Sequence, residues 1–266
     1  NAYHGNTMGS LSLMNFEERQ KPFRPLIGDV DFIEFNNDDN LNRITKKTAA
    51  VILETIQGGA GFIEPQNDYL KKVKDHCEAV GALLILDEIQ PGFGRTGKLF
   101  GFENYDVVPD IMAIGKGMGG GLPVGAFVAS EKLMDLLADH PKMGHITTFG
   151  GNPLVAAACH ATLKTILETE LMAETLEKEK RFRELLIHPL ITAVRGKGLM
   201  LAAIVESEDI ANQVIINCKE KGLILFWLLF EKTAIRITPP LTISIEEIEE
   251  GCGIIIDVLN KIKNKA

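Results

Sequence analysis

Three observations predict an α/β protein with a mostly parallel sheet flanked by helices and a small α+β domain at the C-terminal end. Short, near-continuous apolar runs recur at 49–53, 82–86, 111–114 and 124–129, separated by helical stretches or long loops. Strands of that kind belong to sheets covered on both faces. Two of the runs end in chemistry-bearing residues, Leu83-Leu84-Ile85-Leu86-Asp87 and Ala113-Ile114-Gly115-Lys116, as strands ending at a ligand crevice do. The pattern then changes near His188-Pro189, where the smaller domain is expected to begin.

Residues 68–80 carry Tyr69, Leu70, Val73 and Cys77 at a 3.6-residue period, which predicts a helix after the first strand. Asn152-Pro153 opens a helical stretch over 154–168, and a second follows over 172–186. Beyond it come a strand at 199–205, a helix at 209–221, and strands at 223–226 and 234–237. The last helix starts with a capping box, Ser244-Ile245-Glu246-Glu247, in which serine and glutamate satisfy free amides reciprocally. Ile248, Gly251, Cys252, Ile255, Val258, Leu259 and Ile262 are expected to line its buried face. The resulting division is a large domain over 1–165, a connecting helix over 166–187 and a small domain over 188–266.

Composition narrows the function classes. A formal net charge of −8 and the absence of a basic cluster argue against a nucleic-acid surface. The longest uncharged apolar run, around 222–230, is half the roughly 18 residues of a membrane helix, so no membrane association is expected. Cys77, Cys159, Cys218 and Cys252 are scattered without a C-x-x-C pair, which predicts reduced thiols in a cytoplasmic protein and no metal site. No signal peptide is visible, and a chain beginning Asn1-Ala2-Tyr3-His4-Gly5 is expected to lack an upstream part.

Two glycine patterns, Gly92-Phe93-Gly94-Arg95-Thr96-Gly97 and Gly115-Lys116-Gly117-Met118-Gly119-Gly120, match G-x-G-x-x-G. A dinucleotide site needs a helix to begin at those glycines. Here the first runs into Lys98-Leu99-Phe100 and the second into Leu122-Pro123 and a strand, so neither qualifies. The informative pair is Asp87 and Lys116. A buried strand-end acid requires a cationic partner, either a protonated heterocyclic nitrogen or Arg95. A lysine in the same crevice can form a Schiff base with an aldehyde. Together they are what a pyridoxal phosphate enzyme needs.

Further motifs occur in order: Tyr3-His4-Gly5-Asn6-Thr7-Met8-Gly9, Asp87-Glu88-Ile89-Gln90, Gly115-Lys116-Gly117, Thr147-Thr148-Phe149-Gly150-Gly151-Asn152-Pro153 and Arg236-Ile237-Thr238-Pro239-Pro240-Leu241. The chain thereby resembles the class III pyridoxal phosphate aminotransferases of the ornithine, acetylornithine and 4-aminobutyrate type, which have the fold-type I architecture. The resemblance implies that Lys116 holds the cofactor as a Schiff base and that Asp87 keeps its ring nitrogen protonated. It implies that Tyr3, with His4 beside it, stacks on the ring, that Ile89 packs on the other face and that Gln90 reaches the ring hydroxyl. Thr148 would contact the phosphate of a neighbouring subunit, making a homodimer the expected assembly. Arg236 would clamp the substrate carboxylate, and Glu54 is carried over as a second substrate contact.

The implied reaction moves an amino group from an amine or ω-amino acid to a 2-oxo acid, with 2-oxoglutarate the expected acceptor. An aminomutase or another pyridoxal phosphate reaction on the same fold, or an inactive fragment that only binds partner subunits, are the alternatives. Two departures stand out. The chain reads Glu54-Thr55-Ile56-Gln57-Gly58-Gly59 where ornithine-type members have Glu-Pro-Ile-Gln-Gly-Glu, so Gly59 cannot mask the carboxylate-binding arginine. The family's upstream phosphate loop and its helix are expected to belong to a part that this sequence does not include.

Overall fold

The computed structural model describes residues 1–139 and 141–264. Its first sheet contains β1 (Ala50–Glu54), β2 (Leu83–Asp87), β3 (Ile111–Gly115) and β4 (Gly125–Ala129), in that spatial order. The first three strands are parallel, and β4 returns antiparallel to β3. Glu54 and Asp87 are register partners at the carboxyl ends of β1 and β2, while Gly115 ends β3 beside them. Parallel order therefore delivers three consecutive strand ends to one edge, the edge at which ligands bind in open α/β sheets.

Helix α1 (Tyr69–Val80) covers this sheet. Tyr69, Leu70, Val73 and Cys77 are buried against Val51, Leu53, Leu84 and Leu86. Gly81 closes the helix in the left-handed conformation at φ +81°, where a Cβ would be strained. Helix α2 (Pro153–Glu168) begins as Asn152-Pro153 predicts: the Asn152 side-chain oxygen accepts from the amides of Leu154 and Val155. Helix α3 (Leu171–Leu185) follows almost at once.

The second sheet is antiparallel, ordered β5 (Ile191–Lys197), β6 (Met200–Val205), β8 (Ala234–Ile237) and β7 (Phe226–Trp227). Every residue of β6 is buried. Leu201, Ala203 and Val205 face α3, α4 (Glu208–Glu220) and α5 (Ile245–Lys263), while Met200, Ala202 and Ile204 face Ile56 and Phe62 of the first unit. Period-two alternation thus feeds two separate cores from one strand. The capping box at Ser244 and Glu247 is formed, with both backbone amides satisfied.

Sequence reading missed β5 and placed a strand at 223–226, where the structure forms only the two-residue edge strand β7. Phe182 and Leu186, within the expected connecting helix, pack into the second core with α5. The two units meet at a close seam. Gly198, at φ +61°, has no room for a side chain: a Cβ would lie 2.4 Å from the carbonyl oxygen of Arg95.

Candidate active site

Asp87 ends β2 and is 5% exposed. Its Oδ1 accepts the amide of Ile89 at 3.0 Å, and its Oδ2 lies 2.9 Å from His4 Nδ1. The His4 side chain is itself buried, and its Nε2 has no hydrogen-bond partner among the described residues. An isolated buried carboxylate is costly, and an imidazole at hydrogen-bond distance offsets that cost.

The expectation that Arg95 could serve as the cation for Asp87 is corrected. Arg95 points across the seam, where Nη1 donates to the carbonyls of Leu199 at 3.2 Å and Pro239 at 2.5 Å. Burial there, reinforced by the nearby charge of Arg236, lowers its guanidinium to about 10.

Lys116 is the first residue beyond β3 and adopts φ +45°. The left-handed region is uncommon for residues with a Cβ, and such strain gathers at functional sites. A single 3₁₀ turn, Lys116–Gly119, follows it, in place of the α-helix a dinucleotide site would need. Solvent reaches Lys116, yet protein surrounds it closely enough that desolvation leads in lowering its amine from the ordinary lysine range. Asp87 and Glu54 oppose that effect, whereas the charge of Arg236 adds to it.

Arg236 sits in β8, paired in the ladder with Ala202 on one side and Phe226 on the other. Its Nε donates to Thr238 Oγ1 at 3.1 Å, and no carboxylate pairs with it among the described residues. Burial lowers its pKa. A half-buried guanidinium with free donors beside a lysine is built to receive an anion.

Tyr3 is half-buried and continues directly into His4. Ile89 Cγ1 approaches Gly115 on the β3 side. Gln90 packs against Gly58, where a Cβ would fall 2.5 Å from Gln90 Oε1. Contacts and charges thus link these residues near the carboxyl ends of β1, β2 and β3: His4 with Asp87, the Tyr3 amide with Glu54, Ile89 with Gly115, Gln90 with Gly58, and Lys116 with the charges of Asp87 and Arg236. Thr148 does not join them: it lies on an exposed stretch, next to Phe149, which is 82% exposed.

Glu54, expected as a substrate contact, is buried, and its two oxygens accept backbone amides, of Tyr3 at 3.0 Å and of Gly58 at 2.9 Å. Burial raises it to about 7, against the pull of those amides and of His4. Gly59 lies close under the Phe230 ring: a Cβ there would sit 3.0 Å from it, so a side chain would need the ring to give by a few tenths of an ångström.

Sequence reasoning overlooked Glu88. It accepts from Thr55 Oγ1 at 2.5 Å and from the amides of Gly101 at 2.6 Å and Phe102 at 2.9 Å, and so pins the loop after β2. Burial pushes it up to about 7 as well. The only sequence signal was an acid continuing an apolar run, which a surface acid would give equally. Arg195, by contrast, pairs with Glu231 at 3.2 Å and stays outside the crevice.

A lysine and an acid beyond adjacent parallel strands, with an arginine from a second unit that has no carboxylate partner among the described residues, agree with a pyridoxal phosphate enzyme of the fold-type I class. Residues 1–259 match the family model described as aminotransferase class-III, and the chain belongs to that family. It is 39% identical over its full length to LysW-aminoadipate semialdehyde/glutamate semialdehyde transaminase of Sulfolobus acidocaldarius, of which it covers 68%. It is 40% identical, over 99% of its length, to acetylornithine aminotransferase of Caldanaerobacter subterraneus, covering 67% of that protein. Among solved structures, ornithine aminotransferase from Toxoplasma gondii superposes over the whole chain with a TM-score of 0.93 at 30% identity. The chain spans 64% of that structure's length. A second structure of the Toxoplasma enzyme, described as having pyridoxal phosphate at partial occupancy in its active site, aligns with a TM-score of 0.91 at 29% identity.

Proposed function

We propose that this chain supplies the cofactor-holding and carboxylate-binding parts of a transaminase that moves an amino group from an amine or ω-amino acid to a 2-oxo acid, with 2-oxoglutarate as acceptor. The observation that carries this reading is the meeting of Asp87, Lys116 and Arg236 at one crevice, with the Lys116 amine lowered by desolvation. The residues fit pyridoxal phosphate by their chemistry: a buried acid for a ring nitrogen, a lysine for an aldehyde, a glutamine for a phenolic oxygen and an aromatic side chain for a ring face.

When bound, pyridoxal phosphate supplies an aldehyde that condenses with amines and a ring that accepts electrons as a substrate proton leaves. Asp87, held by His4 and the Ile89 amide, keeps a proton on the ring nitrogen. Lys116, lowered from the ordinary lysine range, supplies a larger share of free amine at neutral pH, first to hold the aldehyde and then to carry a proton at the reacting carbon. Arg236 orients a carboxylate through its unpaired donors.

The assembly we propose is a homodimer in which Thr148 faces the neighbouring subunit's phosphate. Support comes from the apolar residues that flank it in the sequence, with Ile146 68%, Phe149 82% and Leu154 69% exposed in the single chain. Four free cysteines support a reducing, cytoplasmic setting. The test of the reaction is amino transfer by the purified protein with and without added 2-oxo acid. Turnover that needs the acceptor supports transamination, and conversion of the amine without any acceptor would replace it with a mutase.

A further inference from the structure

Glu54 occupies a position that its sequence does not explain. It ends β1, directly across the parallel ladder from Asp87. Its two oxygens hold two different walls of the crevice. Oε1 accepts the amide of Tyr3, fixing the segment that carries the aromatic ring and His4. Oε2 accepts the amide of Gly58, the residue on which Gln90 rests. No other side chain among the described residues hydrogen-bonds to both segments.

We propose that Glu54 is a positioning residue that sets the spacing between the Tyr3-His4 wall and the Gly58-Gln90 wall, so that a pyridine ring fits between them above Asp87. The proposal rests on the pyridoxal phosphate reading of the site. A carboxylate suits this role because it presents two acceptors to two amides. Glutamine presents one acceptor and turns an NH₂ toward the other amide. Aspartate keeps both acceptors but is shorter by one carbon–carbon bond, about 1.5 Å, and cannot span both partners. The titratable groups facing Glu54 are the Asn1 α-amino group and His4 of the N-terminal segment, Asp87 of β2 and Lys116 beyond β3.

The experiment compares the purified protein with Glu54→Gln and Glu54→Asp, their folding checked by circular dichroism and thermal melting. Amide hydrogen exchange without cofactor is followed over residues 1–8 and 55–60, and pyridoxal phosphate is then titrated by absorbance. Exchange should rise at both segments together, and the apparent Kd for pyridoxal phosphate should rise about tenfold, the effect of one lost hydrogen bond to an ion. The ratio of variant to parent Kd for Glu54→Gln should shrink toward one as pH falls from 8 to 6, because protonated Glu54 resembles glutamine. A parent-like Kd, or faster exchange at only one segment, overturns the proposal. If Glu54→Gln does not fold, Glu54→Asp is judged by the same exchange and Kd criteria. A parent protein that forms no Lys116 adduct overturns the cofactor reading itself, and the proposal with it.

Discussion

Lys116 combines a left-handed backbone at φ +45° with an amine shifted below its usual range, the shift led by desolvation. Lys116→Ala should abolish the imine band formed with pyridoxal phosphate while leaving the melting temperature at or above the parent value, since the substitution removes a desolvated charge. Absorbance titration and a thermal scan check both halves of that statement. Arg236 offers a sharper functional contrast. Arg236→Lys keeps a charge but loses the bidentate fork, so the KM for carboxylate-bearing substrates should rise by roughly 10–100-fold, about 1.5–3 kcal/mol, with kcat for an amine lacking a carboxylate unchanged. Equal losses on both substrates would remove Arg236 from substrate binding. The identities of these two residues were legible in the sequence because each stands beside an informative neighbour, Gly115 or Pro239. The partner of Asp87 was only half legible: His4 was noted, but that its ring faces the acid depends on a segment 83 residues away.

At the scale of elements, the carboxyl ends of β1 and β2 gather three acids, Glu54, Asp87 and Glu88, of which Glu54 and Glu88 are raised to about 7 by burial. An acid whose folded pKa lies above its ordinary 4.5 binds its proton more tightly when folded. Its contribution to stability is therefore complete at acid pH and is lost as pH rises through about 7. Denaturant unfolding between pH 5 and 8 should show that decline, and Glu88→Gln should flatten it by roughly 2–3 kcal/mol even as the lost hydrogen bonds lower stability overall. An unchanged slope would mean that Glu88 is not the titrating group. The helix caps give a simpler prediction. Ser244→Ala should cost about 1 kcal/mol and lower Tm by about 2–4 °C, measured by calorimetry. Helix α1, with its clear apolar period, and α5, with its period and capping box, were readable to within a residue of their observed starts. β5 was not, because Ile191–Lys197 mixes charge and glycine, and its strand state is imposed by pairing with β6. The 223–226 run failed for the opposite reason: its apolar residues satisfy a strand pattern, yet only Phe226 and Trp227 find a partner in β8.

For the whole molecule, the seam between the two units decides whether Arg236 reaches the crevice at all. Arg95 donates across it to Leu199 and Pro239, Gly198 approaches it within the reach of one missing Cβ, and β6 packs Met200, Ala202 and Ile204 against Ile56 and Phe62. None of this could be seen in the sequence, where Arg95 is merely the arginine of a glycine-rich loop. The exposed apolar stretch around Thr148 belongs to the same scale. Sedimentation velocity should find the protein as a dimer, and Phe149→Asp should shift it toward monomer. A parent that sediments as a monomer at all concentrations would remove Thr148 from the proposed phosphate contact.

The central claim is that Asp87 and Lys116 form one cofactor site. Pyridoxal phosphate titration followed by borohydride reduction and peptide mapping tests it directly. A band at roughly 410–430 nm, with the reduced adduct on Lys116 and a weaker, shifted band in Asp87→Asn, is the predicted result. Adducts spread over surface lysines, identical in parent and Lys116→Ala, would contradict it.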